Sequence, residues 1–307
     1  MHNKNLMRKI TTYIVALFSV LVIFSSCKKE YESIESIDEA KIKDYIAKNN
    51  LQNVEPDGTG AYYKVVEQGA GTVENFKNTD LVFYNITVKS LLSGTQYLES
   101  PTYTNLSNYV GYLNSFYNSS LSSTSYNIPT IRTAVLALKP GGTVRVILPS
   151  HLAFGKNGAG TIPSNEIIDL YIKTSTYKTQ AELDDNRIIT FLAANNITNA
   201  VKHSSGVYYQ ELTPGTGTEV IDEHSTLVVK YAGKLLDGTQ FDAGDSFSTK
   251  LTDVIEGWGK VLPLFKQGAK VRIFIPSGLG YGVSGSGPIP PNAVLDFTID
   301  ITTVTNN

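Results

Sequence analysis

The sequence predicts an α+β fold, in which short antiparallel strands pack with one short helix. Apolar or alternating runs at 271–275 and 295–299 have the composition of strands. Asp237-Gly238 is typical of a hairpin turn between two further strands. Apolar residues recur at helical spacing between Val254 and Leu262, which indicates one short amphipathic helix. A sheet covered by one helix is an α+β arrangement of layers.

An internal repeat predicts that this arrangement occurs twice. Four pairs of segments match in the same order: 45–50 with 191–196, 62–63 with 208–209, 91–97 with 235–241, and 149–150 with 276–277. The offset is 146 residues for the first two pairs, 144 for the third and 127 for the fourth. The simplest explanation is two copies of one sheet domain, each preceded by its own helix.

We therefore predict five segments along the chain. They are a lipoprotein signal peptide at 1–27, a tether and helix at 28–55, a first sheet domain at 56–178, a connecting helix at 179–203 and a second sheet domain at 204–305. The fall in offset from 144 to 127 corresponds to 17 extra residues in the first sheet domain. This insertion, which is rich in Tyr, Ser and Asn, lies between Tyr97 and Ile128.

Composition excludes several functions. The chain has 307 residues, of which 41% are hydrophobic, so two buried cores are possible. Its formal net charge of −2 gives no indication of nucleic-acid binding. The single cysteine excludes an intrachain disulfide, and the four histidines are scattered along the chain. We expect neither a metal nor another cofactor.

The amino terminus has the pattern of a secretion signal. A basic start is followed by an apolar run from Ile14 to Phe24, which is short for a membrane span. Cys27 closes this run, as in bacterial lipoprotein signals, and would then carry lipid at the mature amino terminus. The alternative is an ordinary signal peptide with an incidental cysteine. The lipid anchor predicts a cell-envelope location, at a membrane and most simply the outer membrane, on its periplasmic or surface side.

Capping patterns mark the two helices that precede the sheets. Ser36-Ile37-Asp38-Glu39 predicts the start of a helix that ends at Asn49-Asn50. Thr179-Gln180-Ala181-Glu182 predicts the start of the connecting helix. We interpret Asp184-Asp185 on that helix as part of a solvated face.

The second sheet domain carries a series of aromatic residues from several predicted elements. They are Tyr231, Phe241, Phe247, Trp258, Tyr281 and Phe297. Any one of them could simply fill a core, but their sequence neighbours are more specific. Tyr231 precedes a predicted glycine turn in Tyr-Ala-Gly, and Phe241 stands in Phe-Asp after Asp-Gly-Thr-Gln. Trp258 ends Val-Ile-Glu-Gly-Trp, and Tyr281 is followed by glycine. Phe297 lies in the final strand, which Ile289-Pro290-Pro291 precedes.

This ordered series resembles FKBP-type peptidyl-prolyl cis-trans isomerases over residues 204–305, about a third of the chain. Three departures from the family pattern accompany it. Ser286 stands where the family often has a histidine, no arginine follows Phe241-Asp242, and Phe247 fits its position only with a small gap.

The resemblance implies a fold and a site. The fold would be two FKBP-like antiparallel sheets, each wrapped on a short helix. Trp258 would be the floor beneath a proline ring, with walls from Tyr231, Phe241, Phe247, Val254, Ile255 and Phe297, and Ile289 on a flap. The Ile255 N–H and the Tyr281 hydroxyl would bind substrate carbonyls. Asp242 would orient Tyr231 or the twisted carbonyl, or else merely cap a turn.

The implied function is isomerisation of X-Pro bonds in extracytoplasmic proteins, as a folding helper. The implied partners are proline-containing polypeptides, macrolides such as rapamycin, and a membrane through the lipid anchor. The alternative is a non-catalytic lipoprotein that uses the sheet domains as a scaffold to bind peptides or proteins.

The repeat predicts that the first sheet domain has lost the polar groups of such a site. Leu98 stands opposite Asp242, and Ile131 stands opposite Trp258. Phe154 replaces Tyr281 and Leu170 replaces Phe297, whereas Tyr231 falls in a gap near Tyr84. We expect this domain to lack isomerase activity. Its Tyr-rich insertion either stacks on sugars or peptides, or packs on its own domain.

Overall fold

The computed structural model describes residues 32–70, 74–116 and 125–306. The predicted signal peptide and Cys27 lie outside these ranges. In the described ranges, no helix is sufficiently long and apolar to span a membrane.

The first half of the chain forms an antiparallel sheet in the order β1-β2-β8-β9-β3-β4, with β5 also pairing with β3, and a separate hairpin of β6 and β7. The strands are β1 (Glu55–Pro56), β2 (Tyr62–Glu67), β3 (Leu81–Ser90), β4 (Gln96–Glu99), β5 (Leu106–Tyr109), β6 (Ser115–Phe116), β7 (Tyr126–Asn127), β8 (Thr143–Leu148) and β9 (Ile168–Thr174).

The second half forms an antiparallel sheet in the corresponding order, β10-β11-β14-β15-β12-β13. The strands are β10 (Val201–Lys202), β11 (Tyr208–Thr213), β12 (Thr226–Leu235), β13 (Gln240–Lys250), β14 (Lys270–Ile275) and β15 (Leu295–Thr305). The α+β prediction is confirmed. The predicted domain boundaries remain a prediction, and each sheet begins slightly before its predicted range.

Among the described residues, four α-helices accompany the sheets: α1 (Ile34–Lys48), α2 (Thr130–Leu136), α3 (Gln180–Ala194) and α4 (Glu256–Val261). Short 3₁₀ turns lie at Val110–Tyr112, Ser150–Leu152, Gly155–Asn157, Leu251–Asp253, Leu262–Leu264, Ser277–Leu279 and Gly282–Ser284. We call α1 with its sheet the first unit, and α3 with its sheet the second unit.

The predicted caps are confirmed for α3 and displaced for α1. Thr179 accepts from the Glu182 N–H, and the Glu182 side chain accepts from the Thr179 N–H, as a capping box requires. In α1 the cap is Ser33, whose hydroxyl accepts from the Ser36 N–H, so the helix begins one turn before the predicted position. The Ser36 hydroxyl instead donates to the Ser33 carbonyl.

One buried aspartate joins each preceding helix to its sheet. The Asp38 Oδ2 accepts from the Ser150 N–H at 2.8 Å and its hydroxyl at 2.6 Å. The Asp184 Oδ2 accepts from the same two groups of Ser277, at 2.8 and 2.7 Å. The interpretation of Asp184 as a solvated residue is therefore wrong, since it is 1% exposed. A carboxylate buried in this way is held by hydrogen bonds across the helix–sheet contact.

Candidate functional site

Aromatic rings of the second unit surround Trp258, which is 3% exposed. The Tyr231 ring lies 5.5 Å from Trp258, and the Phe297 ring lies 5.3 Å from it, both edge to face. Phe241 packs on Phe297 at 5.4 Å, and Phe247 packs on Tyr231 at 5.6 Å. These five rings form one aromatic cluster, which we call the bowl. Edge-to-face contacts of this kind fix each ring by its neighbours.

Glycine in strand β12 lets two rings of the bowl approach the backbone. A Cβ on Gly233 would lie 2.6 Å from ring atoms of both Phe241 and Phe297. A residue with a side chain at this position would force the two rings to move. Gly233 lies inside β12 and pairs with Asp242 and Phe297, so the predicted glycine turn is wrong. Gly233 is a site residue that we missed, although glycine within a strand run was a usable signal.

Asp242 is held by two hydrogen bonds at the edge of the bowl. The Tyr231 hydroxyl donates to Asp242 Oδ2 at 2.7 Å, and the Ala243 N–H donates to Oδ1 at 2.9 Å. Burial of the phenol and its hydrogen bond to Asp242 raise the pKa of Tyr231 to about 12. The phenol thus stays protonated at neutral pH and keeps donating to the carboxylate.

Tyr281 lies on the same side of the second unit and is 37% exposed. Burial and the charge of Asp242 raise its pKa. Its hydroxyl donates to no group in the part of the chain that the structure describes, so it is available to an acceptor from outside. Nearby, Ser286 and Ile289 close a short bridge in the segment 283–292, which we call the flap. Ile289 is 6% exposed and packs in the same hydrophobic cluster as Trp258.

Val254 and Ile255 precede the helix beneath the bowl and pack against the same cluster. Helix α4 begins at Glu256, with Ile255 as its cap in an extended conformation, so the predicted helical start at Val254 is wrong. This conformation leaves the Ile255 N–H without an acceptor among the described residues. The Trp258 Nε1 is also buried without a hydrogen-bond partner in these ranges. All ten residues of the predicted pocket therefore lie around one surface, and their roles remain predictions.

Strand register gives the counterparts of these residues in the first unit. Val88 pairs with Leu98 and Leu170, as Gly233 pairs with Asp242 and Phe297. Ile86 pairs with Ile172, as Tyr231 pairs with Ile299, so Ile86 rather than Tyr84 occupies the tyrosine position. The polar and small groups of the second unit are thus replaced by aliphatic side chains.

The insertion fills the same region of the first unit. Phe154, the counterpart of Tyr281, is 5% exposed. Its ring packs edge to face on Tyr126 at 4.8 Å and on Phe116 at 5.9 Å. Val110 and Leu113 of the insertion are also fully buried in this core. This part of the insertion therefore packs on its own sheet, one of the two alternatives that the sequence left open, whereas Tyr103 and Asn105 contact the second unit.

No cluster of three or more His, Cys, Asp or Glu side chains with metal-binding geometry occurs in the ranges 32–70, 74–116 and 125–306. Asp242, the carboxylate at the rim of the bowl, accepts hydrogen bonds from Tyr231 and Ala243. The geometry offers an aromatic surface with one carboxylate, one free hydroxyl and one free backbone N–H at its rim.

The chain is similar to proteins of one family. A family model for FKBP-type peptidyl-prolyl cis-trans isomerase matches residues 217–302. An FKBP-type peptidyl-prolyl cis-trans isomerase FkpA from Aeromonas hydrophila is 41% identical over 118 residues, covering 36% of this chain and 43% of the relative. The outer membrane protein MIP of Legionella longbeachae is 36% identical over 174 residues, covering 52% of this chain and 74% of the relative.

A solved structure of a peptidyl-prolyl cis-trans isomerase from Pseudomonas syringae is 33% identical, with a TM-score of 0.37, covering 42% of this chain and 99% of that one. The chain belongs to the FKBP-type peptidyl-prolyl cis-trans isomerase family, as its residues predicted. It spans about two fifths of the length of the first curated relatives, at 43%, 43% and 37%.

Proposed function

We propose that the second unit catalyses the cis–trans isomerisation of X-Pro peptide bonds in extracytoplasmic polypeptides. This proposal is supported above all by the bowl, in which the Tyr231 and Phe297 rings pack on Trp258, and Phe241 and Phe247 extend the aromatic surface that a proline ring would contact. Family membership supports the same activity. Isomerisation of X-Pro bonds takes tens to hundreds of seconds unaided, slowly enough to limit folding, so an isomerase would act as a folding helper.

The bowl favours a twisted amide over a planar one. A planar amide is stabilised by resonance and by water, and rotation crosses a barrier of about 18–20 kcal/mol. Inside a dry aromatic surface the charge-separated planar form loses its hydration, whereas the twisted form has less charge separation to lose. This is catalysis by differential binding, without a nucleophile. An acceleration of ~10⁶-fold requires about 8 kcal/mol of such discrimination.

Each rim group has a distinct role in this proposal. The free Ile255 N–H and the free Tyr281 hydroxyl donate to substrate carbonyls and hold the chain across the bowl. Asp242 fixes the Tyr231 ring through the 2.7 Å hydrogen bond, and its negative charge acts on the rotating carbonyl. Val254 and Ile289 complete the apolar wall. The capping alternative for Asp242 is partly retained, because Oδ1 accepts from the Ala243 N–H.

Two further proposals follow from the sequence and the relatives. The chain is held in the cell envelope by lipid on Cys27, and its clients are proline-containing polypeptides in that compartment. Mass spectrometry of the mature amino terminus tests the anchor, since an unmodified chain beginning elsewhere would contradict it. Macrolides such as rapamycin are expected to occupy the bowl in competition with peptides.

A peptide isomerisation assay on the intact protein tests the activity. We expect the protein to accelerate exchange of an uncharged X-Pro tetrapeptide, and rapamycin to suppress this acceleration. A bound peptide whose exchange rate equals that in buffer would instead favour the non-catalytic scaffold.

A further inference from the structure

A groove lies between the two units, beside the flap. It has a volume of about 950 Å³, within the range of ordinary ligand sites. Its walls are the segment 98–101 and 104–107 of the first unit and the flap, 283–292, of the second. The first unit thus contributes one side of a concave surface that begins at the flap of the bowl.

The groove is continuous with the bowl through Ile289. This residue lines the groove and also packs in the cluster that contains Trp258 and Phe297. Tyr103 of the first unit packs against that same cluster. Its hydroxyl interacts with Asp237 in the β12–β13 hairpin, and burial together with this carboxylate raises the pKa of Tyr103 to about 12. A polypeptide that leaves the bowl past Ile289 therefore meets a surface built partly by the first unit.

Hydrogen bonds hold the two walls in a fixed relation. Arg187 of α3 donates to the Thr104 carbonyl and to Asn105 Oδ1, both at 2.7 Å. The Gln180 side chain exchanges two hydrogen bonds with Asn105, at 2.9 and 3.1 Å. On the flap side, Asn292 Nδ2 donates to the Asn105 carbonyl at 3.0 Å. The groove is thus formed before a ligand arrives, which lowers the entropy cost of binding.

An unpartnered acceptor in the wall points to a ligand with N–H groups. Asn292 is 1% exposed, and its Oδ1 is buried with no hydrogen-bond partner in the described residues. The bond from Nδ2 to Asn105 fixes which end of the amide is free. Buried acceptors are ordinarily satisfied, so this oxygen calls for a donor from outside, and a peptide N–H has that chemistry.

The remaining wall chemistry favours an uncharged, extended chain. Among the described lining residues Glu99 alone carries a charge, which disfavours an acidic ligand. Val283 is 70% exposed on the flap side and offers an apolar contact. Pro288, Pro290 and Pro291 stiffen the flap, because each fixes its own φ angle.

We propose that this groove is a second subsite, which binds the uncharged stretch of polypeptide that flanks the X-Pro bond held in the bowl. The inference rests on the proposed isomerase activity and assigns the first unit a part in it. The first unit selects long, unfolded chains over short peptides without performing chemistry itself.

The test compares two substrates in the intact protein. One is an uncharged tetrapeptide with a single X-Pro bond, which fills the bowl alone. The other carries the same tetrapeptide flanked by about ten uncharged residues, which span at most about 35 Å. Exchange spectroscopy gives kcat/KM for each, and amide chemical shifts of Ser284, Gly285 and Ser107 report occupancy of the groove without requiring turnover.

Two variants on the first unit place a bulky ring in the groove. Glu99→Trp, and independently Pro101→Trp, should lower kcat/KM for the long substrate about tenfold, a loss of about 1.4 kcal/mol of binding. Both should leave the tetrapeptide rate unchanged. Gln96→Trp is the matched control for Glu99→Trp, because Gln96 is exposed on the same strand and both of these variants remove the hydrogen bond between Gln96 and Glu99. It should change neither rate.

The outcomes separate the two proposals. Equal effects of Glu99→Trp on both substrates, or an absence of groove shifts with the long peptide, would overturn the subsite while leaving the isomerase intact. Groove shifts with the long peptide but no acceleration of either substrate would support the subsite as a peptide site and contradict the isomerase proposal.

Discussion

The two units share strand order and register but differ in what fills the centre of each sheet. In the second unit, Gly233 leaves room for the Phe241 and Phe297 rings, and Asp242 holds Tyr231 by its hydroxyl. In the first unit, Val88 takes the place of that glycine, and Phe116 and Tyr126 of the insertion cover Phe154. The same strand order can therefore support either an aromatic surface with polar groups at its rim or a filled core.

The two units also differ in how a buried aspartate joins the preceding helix to the sheet. Asp38 and Asp184 occupy equivalent places, and each binds a serine at the start of a 3₁₀ turn. Asp184 Oδ1 accepts in addition from Gln180 at 2.7 Å and lies 3.5 Å from Arg187. Asp38 Oδ1 has no partner among the described residues. The second unit therefore ties its helix to the sheet, and to the inter-unit contact, more fully than the first.

The largest expected effect is on the free energy of unfolding, and it tests the difference between Asp184 and Asp38. Asp184→Ala removes the acceptor of the Ser277 N–H and hydroxyl and one acceptor each from Gln180 and Arg187, and should lower the free energy of unfolding by about 3–5 kcal/mol. Asp38→Ala, the matched variant, removes fewer interactions and should cost about 1–3 kcal/mol. Urea unfolding of the intact chain measures both. Equal losses would contradict the asymmetry.

The largest loss of activity among the pocket residues is expected at the wall of the bowl. Phe241→Ala should open the apolar surface to water and lower kcat/KM for an X-Pro tetrapeptide about 100-fold, or ~2.7 kcal/mol. Leu98→Ala in the first unit, which stands near the corresponding place, is the control and should leave the rate unchanged. If Phe241→Ala retained full activity, the desolvated bowl would not be the source of the acceleration.

Asp242 should matter less than the wall. Asp242→Val keeps the surface apolar and removes one orienting group, so we expect a loss of about tenfold, or ~1.4 kcal/mol. The wild-type rate should be nearly flat from about pH 6 to 9, since the raised pKa values of Tyr231 and Tyr281 keep both phenols protonated there. A rate that titrates near neutrality, with activity abolished in Asp242→Val, would instead identify Asp242 as an acid–base group.

Tyr281→Phe should have the smallest effect of the series. It deletes one neutral hydrogen bond to the substrate, typically about 0.5–1.5 kcal/mol, and leaves the ring in place. The matched change in the first unit, Phe154→Tyr, introduces the lost hydroxyl among packed rings and should not create activity. Steady-state exchange rates measure both. A loss as large as that of Phe241→Ala would make the hydroxyl, rather than the bowl, the dominant group.

Sequence patterns predicted the parts of the molecule that depend on local signals. The capping box at Thr179 and the apolar spacing around Trp258 specify helices locally, and the ordered aromatic motifs named residues that the structure brings together around Trp258. The burial of Asp184 could not be read in this way, because its partner Ser277 lies 93 residues away. Likewise the wall that the first unit places beside the flap results from packing between elements that are distant in sequence.

The most direct test exchanges the residue that distinguishes the centres of the two sheets, which is glycine in the second unit and valine in the first. Gly233→Val introduces the side chain of the first unit into the second, where its Cβ would lie 2.6 Å from the rings of Phe241 and Phe297. Valine suits a strand interior, and overpacking of this kind costs about 1–3 kcal/mol, so the chain should still fold. Val88→Gly is the reciprocal control in the first unit.

The measurement is kcat/KM of the two full-length variants on an X-Pro tetrapeptide, with folding verified by circular dichroism and thermal unfolding. We predict that the exchange rate with Gly233→Val is close to the uncatalysed rate, and that Val88→Gly retains the wild-type rate. Wild-type activity in folded Gly233→Val, or loss of activity in Val88→Gly, would contradict the assignment of catalysis to the second unit.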